Sequence, residues 1–172
     1  MPNIGAVIKA HNNKILEEKV PLNRGQCNCV TRNNCPLNGE CLSKNVLYEA
    51  KLNANIRNYN EKVYKGISKP IFKSRYGNHR KSFNNIEYRK DSELSKEVWN
   101  IKNKGANYEI NWRIIRQCPD YNPVTKRCEL CLNEKLEILE YEGNNQLNKK
   151  SELISKCRHQ NQYMLMNIYD NS

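Results

Sequence analysis

The cysteines of this chain fall into two groups whose spacing suits a metal ion. Cys27-x-Cys29-x5-Cys35-x5-Cys41 places four thiols within fifteen residues. Tetrahedral zinc takes four soft ligands at about 2.3 Å from each sulfur, and short loops rich in Asn, Gly and Pro can bring thiols that close. Two disulfides are the alternative, although Cys27 and Cys29 lie too near in sequence to bridge readily to each other. The second group pairs Cys128-x2-Cys131, a zinc half-site spacing, with Cys157-x-His159; Cys118 is a spare that would replace one of these. The alternative here is buried structural cysteines beside a surface histidine.

The elements that must position these groups follow from periodicity and punctuation. Residues 1–26 are polar and basic, with one short apolar run (Ile4, Ala6, Val7, Ile8), and read as a linker or the tail of an upstream element. Residues 27–44 form the Cys-rich knuckle and 45–172 the main domain. Asn45 to Lys51 and Lys62 to Gly66 read as two strands of a hairpin, with a polar turn from Asn53 to Glu61. Pro70 suits a helix start, followed by Phe72, Tyr76 and Phe83 at roughly helical spacing. Asp91-Ser92-Glu93 opens a second helix with Leu94, Val98 and Ile101 on one face, and Gly105 stops it. Tyr108 to Ile115 alternates as a strand. Arg127 to Glu140 reads as a helix with Leu132, Leu136 and Leu139 as its core stripe, and an Asn-rich turn from Gly143 to Gln146 leads to a last helix starting near Ser151. The order β-β-α-α-β-α-α describes an α/β (α+β) fold, a small sheet flanked by helices.

Composition narrows the partners. The chain has 172 residues, with 29 Lys+Arg against 18 Asp+Glu, a net charge of +11, and its isoelectric point near 9.3 points to a polyanion, of which nucleic acid is the commonest. Anionic membrane is the competing partner, and no basic amphipathic helix with a wide apolar face supports it. No apolar run approaches the ~20 residues that span a bilayer, and residues 1–14 offer no signal-peptide core. The expectation is a chain inside the cell, nuclear or cytoplasmic, where a reducing environment favours metal-bound thiols over disulfides.

Six blocks in order resemble a known family. Val46-Leu47-Tyr48 and Val63-Tyr64-Lys65-Gly66 resemble the paired tripeptides that name the GIY-YIG nucleases. Phe72-Lys73-Ser74-Arg75-Tyr76-Gly77-Asn78-His79 is similar to that family's helix with Arg and, four residues on, His; Ser92-Glu93-Leu94-Ser95 resembles its next block. Cys131-Leu132-Asn133-Glu134-Lys135-Leu136 looks like the helix presenting the metal-binding Glu, and Gln146-Leu147-Asn148-Lys149 like the closing Asn. The Cys27–Cys41 knuckle, the Ser155-Lys156-Cys157-Arg158-His159 run, Pro2-Asn3-Ile4 and Ala10-His11-Asn12 extend the likeness to Penelope-like retroelements, whose GIY-YIG domain accompanies a reverse transcriptase.

The resemblance implies a three-stranded, mostly antiparallel sheet with an N-terminal zinc knuckle, and hydrolysis of DNA phosphodiesters, as strand nicking. Glu134 would hold one Mg²⁺ (or Mn²⁺), Tyr48 would act as general base or position the water, and Arg75 would clamp the phosphate. His79 would relay a proton, and Tyr64 and Asn148 would orient water, phosphate or the Glu. Zn²⁺ would be structural. One departure stands out: Lys65 occupies the middle of the second tripeptide, where a branched apolar residue is usual. Pointing away from Tyr64, its ammonium must snorkel, pair, or destabilise the fold. A zinc-stabilised nucleic-acid-binding module without catalysis is therefore the rival reading, and a secreted, disulfide-rich basic protein the third.

Overall fold

Val46, Tyr48, Ala50 and Leu52 alternate along one strand and are all buried, so one face of the sheet is the floor of the core. The computed structural model describes residues 3–17 and 26–150, together with Cys157, His159 and Leu165. Its elements are α1 (Ile4–Glu17), β1 (Val46–Ala54), β2 (Lys62–Ser68), α2 (Phe72–Asn84), α3 (Glu93–Asn103), β3 (Tyr108–Gln117) and α4 (Glu129–Leu139). The three strands form an antiparallel sheet in the order β2-β1-β3, giving an α+β fold with four helices among the described residues. No helix among them is long and apolar enough to cross a membrane.

Two apolar clusters fill the face that carries Tyr48. Val46, Tyr48 and Phe72 pack with Cys35, Leu37 and Cys41 of the knuckle; Ala50 and Leu52 pack with Phe83 of α2 and Leu94, Val98 and Ile101 of α3. Leu94, Val98 and Ile101 are the stripe expected from their spacing. Ser92 caps α3 by accepting from Ser95 N (3.1 Å), and Gly105, at φ +68°, closes it. There Gly105 N donates to Lys102 O and Ala106 N to Ile101 O, a terminus that needs a residue at home in the left-handed region.

The opposite face carries charge, and α4, which packs on β2 and β1, sends Glu137 to it. Glu49 stands across from Lys65 on one side and Arg113 on the other, so the three share this face. Arg113 Nε donates to Glu49 Oε1 (2.6 Å), and Lys65 Nζ donates to Glu137 Oε2 of α4 (2.6 Å). Lys65, whose side chain is 7% exposed, thus meets the pairing condition that its burial imposes, and the Tyr141 ring lies 5.2 Å from its ammonium. The outer edge of β2 is paired too. Val63 exchanges backbone bonds with Asn145 and Leu147, and Asn148 brackets Lys65 by accepting from its N–H and donating to its carbonyl (both 2.7 Å).

Two expectations need correction. Leu132, Leu136 and Leu139 are not a core stripe: they are 38%, 43% and 50% exposed. The face of α4 turned to the sheet holds Leu130 and Ile138, eight residues apart, with Glu134 midway between them. Both stripes have helical spacing, and the polar side chains of the buried one hid it. Within the stretch read as linker or tail, Ile4–Glu17 is a helix, carrying that short apolar run in its first turns with Ile4 and Val7 exposed. Asn12 ties it to Leu165 through a reciprocal pair of hydrogen bonds (3.0 and 2.9 Å). The expected helix near Ser151 lies outside the described residues.

Candidate functional site

Tyr48 is the third residue of β1, beside an irregularity in the pairing, which steps from Leu47–Arg116 to Tyr48–Ile114. Such bulges re-aim side chains. Its phenol lies over Gly66, its partner on β2, so closely that a Cβ there would stand 2.5 Å from the hydroxyl oxygen. A glycine is required at this position because the tyrosine occupies the space. The Tyr48 hydroxyl donates to His79 Nε2 (2.8 Å) when the imidazole carries its proton on Nδ1, and accepts from Arg75 Nε (3.1 Å). Arg75 and His79 are four apart on α2 and so share a face of that helix.

Burial governs the protonation of this cluster. It drives the Tyr48 phenol above its ordinary value, with Tyr64 adding to the shift and the Arg75 guanidinium opposing it. Tyr64 is raised for the same first reason and is also opposed by Arg75. Burial and then Arg75 hold His79 down at about 3, so its ring is neutral at neutral pH and acts as a hydrogen-bond acceptor for the phenol. Glu134 is pushed up to about 7 by burial, against the pull of Arg75 and Lys135. Among the described residues its carboxylate has neither a hydrogen bond nor an ion pair. The other carboxylates of this helix are otherwise disposed: Glu129 pairs with Arg127, Glu137 with Lys65, and Glu140 is exposed.

The structure therefore brings Tyr48, Tyr64, Arg75 and His79 into contact, with Glu134 within electrostatic reach of Arg75 and both tyrosines. Asn148 is apart from them in role, since its carboxamide is taken up by the Lys65 backbone and holds the strand that carries Tyr64. Trp112, which its alternation marks only as a strand residue, packs on both Tyr48 (ring centroids 5.8 Å) and His79 (5.3 Å). In the sequence Glu134 is set apart from the other carboxylates of α4 by lying one turn beyond Cys131; its place midway between buried Leu130 and Ile138 is visible only in the structure.

Both cysteine groups converge. The Sγ atoms of Cys27, Cys29, Cys35 and Cys41 all lie within 4.8 Å of one another, as do the ligand atoms of Cys128, Cys131, Cys157 and His159. Cys41–Cys27 and Cys29–Cys41 are 3.5 and 3.7 Å apart, and Cys131–Cys157 is 3.5 Å. The edge of a tetrahedron with Zn–S of 2.3 Å is about 3.8 Å, whereas a disulfide needs about 2.05 Å. The eight cysteines are all unbridged. His159 Nδ1 lies 3.5 Å from Cys128 Sγ and 3.3 Å from Cys131 Sγ, and so is the nitrogen that would face an ion held there. Burial opposes ionisation of Cys35, yet the backbone N–H groups of Gly39 and Leu37 bring its thiol down to about 6, as suits a thiolate ligand. Both groups could hold zinc. Cys118 belongs to neither; its buried thiol faces Asn133 Nδ2 (3.7 Å).

Each group grips a helix of the cluster. The knuckle accepts the first N–H groups of α2, Phe72 N to Ser43 O (2.9 Å) and Lys73 N to Cys41 O (2.8 Å), while Lys73 Nζ donates to Asn28 (2.7 Å). Cys128 is the residue capping α4 and Cys131 lies in its first turn. Comparison with family models, with curated proteins and with solved structures finds no match to this chain.

Proposed function

We propose that this chain is a divalent-metal-dependent DNA endonuclease of GIY-YIG type, resembling the domain that accompanies Penelope-like reverse transcriptases, and that it nicks DNA inside the cell, in the nucleus or cytoplasm. The observation that carries the reading is the Tyr48 hydroxyl held between neutral His79 and cationic Arg75, with a half-buried Glu134, without a hydrogen bond or ion pair among the described residues, in electrostatic reach of Arg75. A half-buried carboxylate not engaged by other side chains among the described residues is an oxygen ligand suited to Mg²⁺ or Mn²⁺, which keeps waters of its own and needs few protein ligands. Bound there, the cation supplies charge that polarises the scissile phosphate and the leaving oxygen.

The chain's own groups do the rest. His79 Nε2 accepts the hydrogen bond of the Tyr48 hydroxyl and Arg75 Nε donates to the same oxygen, so the hydroxyl is held in one orientation to position the attacking water, with Arg75 opposing the burial that keeps the phenol protonated. Around Tyr48, the polar groups that keep some exposure are Tyr64, Arg75 and Glu134, so the phosphate meets these first. The guanidinium fork of Arg75 holds phosphate oxygens while charge builds on them. Lys149 and the many exposed lysines fit a polyanionic substrate, and an upstream reverse transcriptase would make use of the nick as a primer.

A second reading, a zinc-braced nucleic-acid-binding module without catalysis, is favoured by one observation: Tyr48 is 0% exposed. Incubation of supercoiled plasmid with zinc-loaded protein separates the two. The nuclease converts it to open circles with Mg²⁺ and not with a magnesium chelator, and Glu134→Ala abolishes conversion while DNA binding persists. Binding without conversion by the unaltered chain would establish the module instead.

A further inference from the structure

Tyr76, Arg80 and Asn84 recur every fourth residue along α2, and Tyr108 and Trp112 lie on one face of β3. The two rows confront each other across a cavity of about 310 Å³, the size at which pockets begin to enclose small ligands. β3 is an outer strand of the sheet, so no further strand among the described residues shuts this side. The walls are aromatic: Tyr76 and Trp112 meet edge-on (5.7 Å, 89°), and Tyr108 stands edge-on to Phe83 (6.3 Å, 79°). The mouth is polar. Arg80 and Asn84 are exposed, and among the described residues neither side chain has a hydrogen bond or an ion pair.

That combination selects its occupant. Half-buried rings offer faces on which a flat heterocycle stacks, a carboxamide offers one donor edge and one acceptor to a base edge, and a guanidinium answers a phosphate. An aliphatic ligand would use none of the three. Trp112 is also the wall shared with the cluster on the other side, packing on Tyr48 and His79. We propose that this cavity takes one unpaired base of the DNA strand, next to the phosphate held at Arg75, so that the preferred substrate carries a single-stranded or extruded nucleotide. A paired base cannot enter without the cost of unstacking, which is why an already unpaired one is favoured. The inference rests on the nuclease reading for the neighbouring chemistry, and its test reads binding alone.

The test compares a fully paired hairpin with the same hairpin carrying one bulged 2-aminopurine, using zinc-loaded full chain without Mg²⁺. The chain binds the bulged hairpin about 5-fold to about 150-fold more tightly, the range for stacking one base on aromatic side chains, and quenches its fluorescence. Tyr108→Leu removes one stacking ring, and Asn84→Trp fills the cavity from an exposed position where folding is not at stake. Each erases the preference and the quenching while leaving affinity for the paired hairpin unchanged. Equal affinity for both hairpins, or a preference that survives both variants, overturns the pocket. A chain that nicks plasmid yet shows no such preference overturns the pocket alone, whereas one that binds neither hairpin overturns the nuclease reading with it.

Discussion

Glu134 titrates in the opposite sense to most surface carboxylates. Its folded value of about 7 lies above its ordinary 4.5, so between those limits the folded chain binds a proton that the unfolded chain has released. Its contribution to stability is therefore full below about 4.5, declines as pH rises, and is gone above about 7. Glu134→Gln keeps the shape without the titration. In metal-free solution its stability relative to the unaltered chain rises steadily from pH 4.5 to 7, read by denaturant unfolding; a constant difference would mean that Glu134 is solvated. Gly66 gives a second measure at this scale. Gly66→Ala forces the Tyr48 ring off its site, at ~1–3 kcal/mol for an overpacked contact, and breaks the hydroxyl's bonds to His79 and Arg75. Gly77, on the exposed side of α2 with nothing within 4 Å of the place a methyl would take, is the control: Gly77→Ala stabilises by ~0.5–1 kcal/mol. Urea unfolding of the two variants must therefore move in opposite directions.

At the scale of elements, what could be read from the sequence was whatever one side of an element announced by itself. β3 and α3 were legible because alternation in one, and a Ser cap, an apolar stripe and a stopping glycine in the other, agree locally. α4 was legible as a helix but not in its orientation, because its buried face mixes Leu130 and Ile138 with Glu134 and Glu137 while three leucines face outward. Position alone could not reveal that Glu137 answers Lys65, since the pair spans strand and helix seventy-two residues apart. The pair also makes an asymmetric prediction. Glu137→Ala strands a buried ammonium and costs about 2–3 kcal/mol, under the ~3–5 of a pair buried on both sides because Glu137 is 31% exposed. Lys65→Ile leaves the more exposed partner unpaired and costs less, and combining Lys65→Ile with Glu137→Leu restores stability to near that of the unaltered chain. Equal costs for the two single variants in thermal unfolding would show that the pair is no more than a surface contact.

Among the described residues a three-stranded sheet carries two helices, those of Arg75 and Glu134, each tied at its start to a cysteine group, and the chain's net charge of +11 suits a polyanion. Charge alone predicts that DNA affinity falls steeply between low and physiological salt, since each phosphate neutralised releases counterions; a flat dependence in a filter-binding titration contradicts it. The ties carry the more particular prediction. A modest apolar inventory, 38% hydrophobic and 8% aromatic, leaves a small core, and structural zinc contributes folding free energy directly. Elemental analysis of the intact chain is expected to find two zinc ions, and Cys27→Ser and Cys128→Ser to lose one each. The consequences then divide by helix. The knuckle caps the start of α2 through Cys41 and Ser43, so Cys27→Ser loosens Arg75 and His79 and depresses the rate of nicking at saturating Mg²⁺. The second group holds the start of α4, so Cys128→Ser loosens Glu134 and raises the Mg²⁺ concentration needed for half-maximal nicking. Identical kinetic defects from the two variants, each with one zinc left, would show that the ions support the fold as a whole and not the separate helices.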